Sequence, residues 1–251
     1  MEADLCQYLP WDSEFFGVRI ARLNCSRLTP KTAAAAEAQC IAEKIDCLYF
    51  LAVSDDPSTV SAAEDHGYRF MDVRVTLSAQ LTSALHPAAP TGRATVRLCR
   101  QDDIPALRAL AAVSHRESRF YADPGFADPA CDRLYETWIE KSCCGYADAV
   151  FVADLGDGAA GYATAHNGKP GEGSLGLIAV NPEAQGLGLG RKLTAAVLDW
   201  GREQGLSLIH VVTQGRNCRA QRMYGRCGFL PDTLQFWYHR WFAGAKQRGG
   251  A

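Results

Sequence analysis

Residues 185–191 read Gln185-Gly186-Leu187-Gly188-Leu189-Gly190-Arg191. Glycine at alternate positions lets a backbone turn sharply and bring several N–H groups toward one point. The run before it, SLGLIAV at 174–180, is apolar and ends at Asn181-Pro182, as a buried strand does. The run after it, through Trp200, is amphipathic. The order is therefore strand, glycine-rich turn, helix. Amides in such a turn, with the positive end of the helix dipole, bind phosphate oxygens. Spacing narrows the choice of ligand. No Gly-Lys-Ser/Thr is present, which excludes a Walker-type loop. Arg191 stands where a dinucleotide fingerprint needs its last glycine, and the strands upstream read as an antiparallel hairpin. What fits is Gln-x-x-Gly-x-Gly, on Gln185, Gly188 and Gly190. Without a ligand, the same run is simply a glycine-rich start to a helix.

Residues 208–214 (LIHVVTQ) read as the next strand, and 217–227 as a helix stopped by Gly228. Asn217, Ala220 and Tyr224 share one face of that helix. An amide, a small residue and a phenol on one stripe suit a groove better than a core; a buried, hydrogen-bonded tyrosine is the alternative. Arg219, Arg222 and Arg226 form another stripe, roughly opposite, that reads as a solvated face.

This combination, closing on Gly228-Phe229, resembles the GNAT N-acetyltransferase superfamily. The resemblance implies acetyl-coenzyme A as co-substrate, held at its pyrophosphate by Gln185, Gly186, Leu187, Gly188, Leu189, Gly190 and Arg191. It implies a gap between the parallel strands 174–180 and 208–214. There the backbone of Ile178, Ala179 and Val180 meets the pantetheine arm, and an N–H of Ile178 or Ala179 faces the acyl oxygen. Asn217 would contact the same arm, and Tyr224 would sit by the thioester sulfur as general acid. Direct attack by an amine needs no acyl-enzyme, so no cysteine is required as nucleophile.

The elements that must position these groups are legible in outline. Strands are expected at 18–23, 47–53, 68–77, 95–98, 150–155, 161–165 and 234–241, and helices at 30–44, 57–66, 102–112 and 131–144. Residues 121–130 read as a loop. This order reads as α/β with a mixed sheet, and the resemblance implies a GNAT acyltransferase fold at 93–243, with a smaller N-terminal GNAT-like half-domain at 1–90 on the substrate side and a tail at 244–251. The small, proline-containing stretch 81–92 reads as the linker.

Three further segments resemble the TDP-fucosamine acetyltransferase branch: Trp11-Asp12-Ser13-Glu14-Phe15-Phe16-Gly17, Ser118-Arg119-Phe120, and Tyr135-Glu136-Thr137-Trp138-Ile139-Glu140. The chain departs from that branch by an insertion near 171–177. The branch implies a nucleotide-linked amino sugar as acceptor. Trp11 and its neighbours would also cap the sheet. Arg119 is then a fork for the diphosphate or a surface arginine. Phe120, Tyr121 and Phe126 would stack on base or sugar, or pack. An amine of this kind titrates near about 8, so a modest base suffices. Asp72 is the candidate, with His166 and Glu172 as competitors. Other acceptors in the same superfamily are a protein N-terminus, a polyamine or an antibiotic. A non-catalytic coenzyme A-binding regulator is the reading from another class.

Composition bounds the rest. The 251 residues carry a net charge of −2, which gives no electrostatic case for nucleic acid. No apolar run reaches the ~20 residues of a membrane span, and the N-terminus lacks a basic, then apolar leader. A cytoplasmic protein is expected, with the C-terminal aromatic strand either a homodimer surface or a fold-closing strand. Ten cysteines are scattered without a CxxC or Cys/His cluster, so neither metal nor a disulfide framework is expected. Replacing Gly188 with valine should abolish coenzyme A binding in calorimetry; retained affinity would contradict the phosphate-cradle reading.

Overall fold

The structure is a computed structural model that describes residues 4–81, 94–156 and 158–242. In chain order its elements are β1 (Cys6–Tyr8), α1 (Pro10–Phe16), β2 (Ile20–Leu23), α2 (Pro30–Ala42), β3 (Cys47–Val53), α3 (Pro57–Asp65) and β4 (Arg69–Gln80). Then come β5 (Thr95–Leu98), α4 (Ile104–Ser114), α5 (Arg119–Ala122), α6 (Asp128–Lys141), β6 (Ala149–Asp154), β7 (Ala159–Asn167), β8 (Glu172–Val180), α7 (Leu189–Glu203), β9 (Leu208–Gln214), α8 (Cys218–Arg226) and β10 (Leu230–Trp241). The expected linker lies almost wholly outside the described residues, as does the tail.

The ten strands of the described residues form one mixed sheet in the order β1-β2-β3-β10-β4-β9-β8-β7-β6-β5. The last strand lies between two strands of the first ninety residues: Trp237 pairs with Leu51 on β3 and with Asp72 on β4. Helices α7 and α8 cover one face, where Leu175, Leu193, Val197, Val211 and Phe229 are buried together. Helices α1, α4, α5 and α6 cover the other, over Tyr49, Leu134, Ile139 and Tyr162. Short helices α1 and α5, absent from the expected set, stand at the segments 10–16 and 119–122. Pro10 sits at the start of α1, and Gly17 closes it with φ 69°. Thr29 and Asp56 cap α2 and α3 through their side-chain oxygens.

The sheet is irregular at one place. Strands β8 and β9 run parallel and pair from Glu172–Leu208 to Leu175–Val211, and there the pairing stops although both strands continue. At the same point β8 bulges against β7: Ala163 opposes Ile178, but Ala165 opposes Leu175, so two residues, Gly176 and Leu177, face Thr164 alone. A bulge bends its strand and increases local twist, which turns β8 away from β9. Thr164, fully buried, fixes the irregularity. Its Oγ1 accepts the Leu177 N–H at 2.8 Å and lies 3.0 Å from His166 Nε2. Gly176 is needed here, because a Cβ would fall 2.6 Å from His166 Nε2 and 2.7 Å from Thr164 Oγ1. Thr164→Val keeps the shape and removes the acceptor, leaving a part-buried N–H without its partner. It should lower unfolding free energy by about 1–3 kcal/mol, measured by urea denaturation; an unchanged midpoint would show that the bulge does not depend on this bond.

Candidate active site

The cradle is built from backbone alone. Gly186 and Gly188 have φ of 88° and 78°, a left-handed conformation costly for side-chain-bearing residues. Gly188 is the N-cap of α7 and supplies no capping side chain. The first amides of a helix have no intrahelical acceptor, so those of Gly188, Leu189, Gly190 and Arg191 remain available to an anion. Leu189 anchors the turn from below, buried in the core, while Gln185 and Leu187 face outward. Arg219 is exposed, as expected, and it also donates to Gln185 Oε1, which ties α8 to the loop. Arg222 and Arg226 are exposed, as expected.

Beyond Leu175 and Val211 the parted strands expose backbone edges toward each other. Ile178, Ala179 and Val180 remain paired on their far side with Ala163, Tyr162 and Gly161 of β7. An extended chain carrying amides could satisfy the free groups on the near side. Asn217 caps α8: its Oδ1 accepts the Ala220 N–H at 3.0 Å. Its amide nitrogen is left for another partner. Tyr224 is about two turns further along, 2% exposed and packed on Phe229. Among the described residues its hydroxyl makes no hydrogen bond. Burial raises the phenol well above its ordinary pKa, so it stands as a neutral proton donor. Loop, gap and α8 together fit a phosphate-ended, amide-bearing thioester.

Comparisons with known proteins agree. Residues 110–229 match the Acetyltransferase (GNAT) family. The chain is 28% identical to a dTDP-fucosamine acetyltransferase of Escherichia coli O6:H1, over 92% of this chain and 96% of that protein. It is 29% identical to the spore coat polysaccharide biosynthesis protein SpsD of Bacillus subtilis, over 55% of this chain and about half, 48%, of that protein. A GCN5-related N-acetyltransferase from Sphaerobacter thermophilus superposes with a TM-score of 0.65 at 14% identity, covering 94% of this chain and 76% of that one. The chain belongs to the GNAT acetyltransferase family. It is an acyltransferase that uses acetyl-coenzyme A, and the mixed α/β sheet expected from the sequence is the one present.

In this GNAT enzyme a cavity of about 830 Å³ opens on the sheet face opposite α7 and α8. It borders the bulge at Gly176 and Leu177 and is walled by Trp11, Trp138 and Lys141, with His166 at the strand end. The two indole rings stack at 6.4 Å, and Lys141 Nζ lies 4.4 Å from the Trp11 ring. Trp138 belongs to the segment 135–140 that carries the branch resemblance, but the sequence gives neither it nor Lys141 a place in a site. Gly176 inside a strand pattern was a signal for a bulge. His166 lines this cavity, and burial holds its imidazole below the ordinary pKa.

Phe120 and Tyr121 are elsewhere. Phe120 is 3% exposed, inside a ring cluster with Phe16, Phe126 and Trp138. Phe126 is buried in the same cluster. Tyr121 donates its hydroxyl to Asp132 at 2.6 Å and stacks on Tyr135. Phe120, Phe126 and Tyr121 pack helix on helix, and none of these three lines the cavity. Arg119 is half-buried, with its guanidinium over the rings of Tyr49, Phe120 and Trp237. Glu172, at the start of β8, lies 3.5 Å from His210.

Asp72 sits near the start of β4, beside the turn from β9 to α8: the Gly215 N–H donates to Val73 at 2.7 Å. Its carboxylate is almost fully enclosed, with Oδ1 unpartnered and 3.7 Å from Arg216 Nε. Burial pushes its pKa up to about 6, against the pull of Arg216. The folded state therefore binds this proton more tightly than the unfolded chain, whose value is near 3.8. Stability from this group is present at low pH and lost as pH rises through about 6. Urea midpoints of wild type relative to Asp72→Asn should fall between pH 4 and 6 and level off above; a flat or rising difference would contradict the burial-driven shift.

Proposed function

We propose that this GNAT enzyme acetylates the 4-amino group of a TDP-linked amino-dideoxy sugar. The single observation carrying the acetyl-transfer half is the parting of β8 from β9 directly behind the left-handed glycine turn. The acceptor half is supported by the dTDP-fucosamine acetyltransferase relative, which matches along nearly its whole length. It is also supported by a cavity whose stacked indoles and lysine suit a flat base and an anion.

Acetyl-coenzyme A supplies the activated acyl group. Gln185, the amides of Gly186 to Arg191, and Asn217 would hold it. An N–H of Ile178 or Ala179 stabilises charge that develops on the acyl oxygen. Tyr224 gives its proton to the departing sulfur. The amine must lose a proton before it attacks. Asp72, buried and with one oxygen unpartnered, takes it in this proposal; His166, on the cavity wall, is the competing acceptor. Arg119 offers its N–H groups to the diphosphate.

The test is a mass-spectrometric assay of acetyl-coenzyme A with dTDP-4-amino-4,6-dideoxygalactose, beside a polyamine, an aminoglycoside and a peptide N-terminus. Acetylation of the nucleotide sugar alone is expected. Preference for another amine overturns the acceptor assignment, and coenzyme A binding with no thiol release from any amine favours a regulator. Tyr224→Phe should slow turnover by at least about 100-fold with coenzyme A affinity kept; unchanged turnover removes the phenol from the chemistry.

A further inference from the structure

Arg119 presents more hydrogen-bonding capacity than the protein uses. A guanidinium has five N–H donors and no acceptor. Among the described residues one bond is formed: Nη1 donates to His239 Nε2 at 2.6 Å. Among the described residues no carboxylate lies within ion-pair distance of it. Three aromatic rings, at 4.1, 4.2 and 4.3 Å, enclose the guanidinium. They restrict its rotation and leave its remaining donors for a ligand.

His239 is wholly buried on β10, across from Tyr49 of β3. Its other nitrogen, Nδ1, lies 2.5 Å from Asp123 Oδ2, just past α5. Asp123 is itself held in place. Trp241 Nε1 donates to its two oxygens at 2.9 and 3.1 Å, and the Gly125 N–H donates to Oδ1 at 2.8 Å. Gly125 is required, since a Cβ there would lie 2.3 Å from the Trp241 ring. The donors fix the tautomer. Arg119 can only donate, so Nε2 must accept, and the imidazole proton resides on Nδ1 facing the carboxylate. Burial keeps the ring neutral, with a pKa down to about 4. Cys47 Sγ lies within 4.8 Å of this pair. The imidazole nitrogens and the carboxylate are already engaged with Arg119 and Trp241, so the cluster is organised as a hydrogen-bond relay.

We propose that Asp123 and His239 are positioning residues that hold Arg119 as a preset fork for the anionic portion of the acceptor. This rests on the acceptor reading above. The carboxylate selects the tautomer, the tautomer accepts from Nη1, and that bond aims the rest of the fork. An enzyme that recognises its acceptor through a diphosphate gains from such preorganisation, because no side-chain freedom is lost when the ligand arrives.

The probe is inorganic pyrophosphate, titrated calorimetrically with coenzyme A saturating so that the glycine loop is occupied. Wild type should bind it, and Arg119→Leu should not. Asp123→Asn should weaken binding by at least about tenfold, as expected when a charge-assisted bond that orients the fork is lost. The amide would donate to Nδ1 and drive the imidazole proton onto Nε2, against the guanidinium. His239→Gln keeps one acceptor and one donor and should stay within about threefold of wild type, whereas His239→Leu should behave like Asp123→Asn. Thermal melts identify variants that fold, and the His239 pair decides the matter if Asp123→Asn does not. Nitrogen-15 NMR of histidine-labelled protein supplies a readout that mere structural support would not move. It should show His239 protonated on Nδ1 in wild type and on Nε2 in Asp123→Asn. Absent pyrophosphate binding by wild type, equal affinity in wild type, His239→Leu and Asp123→Asn, or an Nε2 proton in wild type overturns the proposal. Pyrophosphate binding with the predicted ranking, but no acetylation of the nucleotide sugar, sustains the relay and overturns only the acceptor assignment.

Discussion

Two parallel strands that stop pairing halfway along hold the key to this molecule. A buried sheet normally satisfies every N–H and C=O through its neighbours. Here β8 and β9 separate after Leu175 and Val211, and the cause is local: a bulge at Gly176 and Leu177, fixed by the hydroxyl of Thr164. The groups left facing each other form a slot for an amide-bearing chain. The turn at the end of β8 leads into α7, whose N-terminal amides have no capping side chain. A strand that failed to bend would close the slot and misdirect the helix. The co-substrate site is therefore a property of backbone, shaped by one threonine and a few glycines.

The position of β10 imposes a second constraint. By pairing with both β3 and β4, the last strand joins the first ninety residues to the rest of the sheet. It also carries His239 and Trp241 beneath α5 and Trp237 against Arg119. The face opposite α7 and α8 thus draws on α1, β4, α5, α6 and β10. Its aromatic rings serve two ends. Phe16, Phe120 and Phe126 pack the helices, while Trp11 and Trp138 border open volume. Rings of the same type are divided between core and cavity by where the helices cross.

Ionisable groups follow burial. Asp72, enclosed beside one exposed arginine, holds its proton to higher pH than a free carboxylate. Asp123 instead accepts from an imidazole, an indole and a backbone amide. Two aspartates on one face are thereby given different chemistry, one open to a proton and one fixed as an anchor.

The chain by itself determined whatever depends on neighbours in sequence. The glycine turn, the strand before it and the helix after it were readable because φ > 0 and amphipathic periodicity are local properties. The stripe of Asn217 and Tyr224 was readable for the same reason, and so was the gap between two named strands once the family resemblance was in view. Only the tertiary structure decided that Asn217 caps its own helix, that Phe120 is sequestered in packing, and that Trp138 and Lys141 wall a cavity. It alone brought Asp123 to His239 across 116 positions and set both beside Arg119. No periodicity encodes such meetings. They follow from the register of β10 and the crossing of α5 over it, which are fixed only when the whole sheet has assembled.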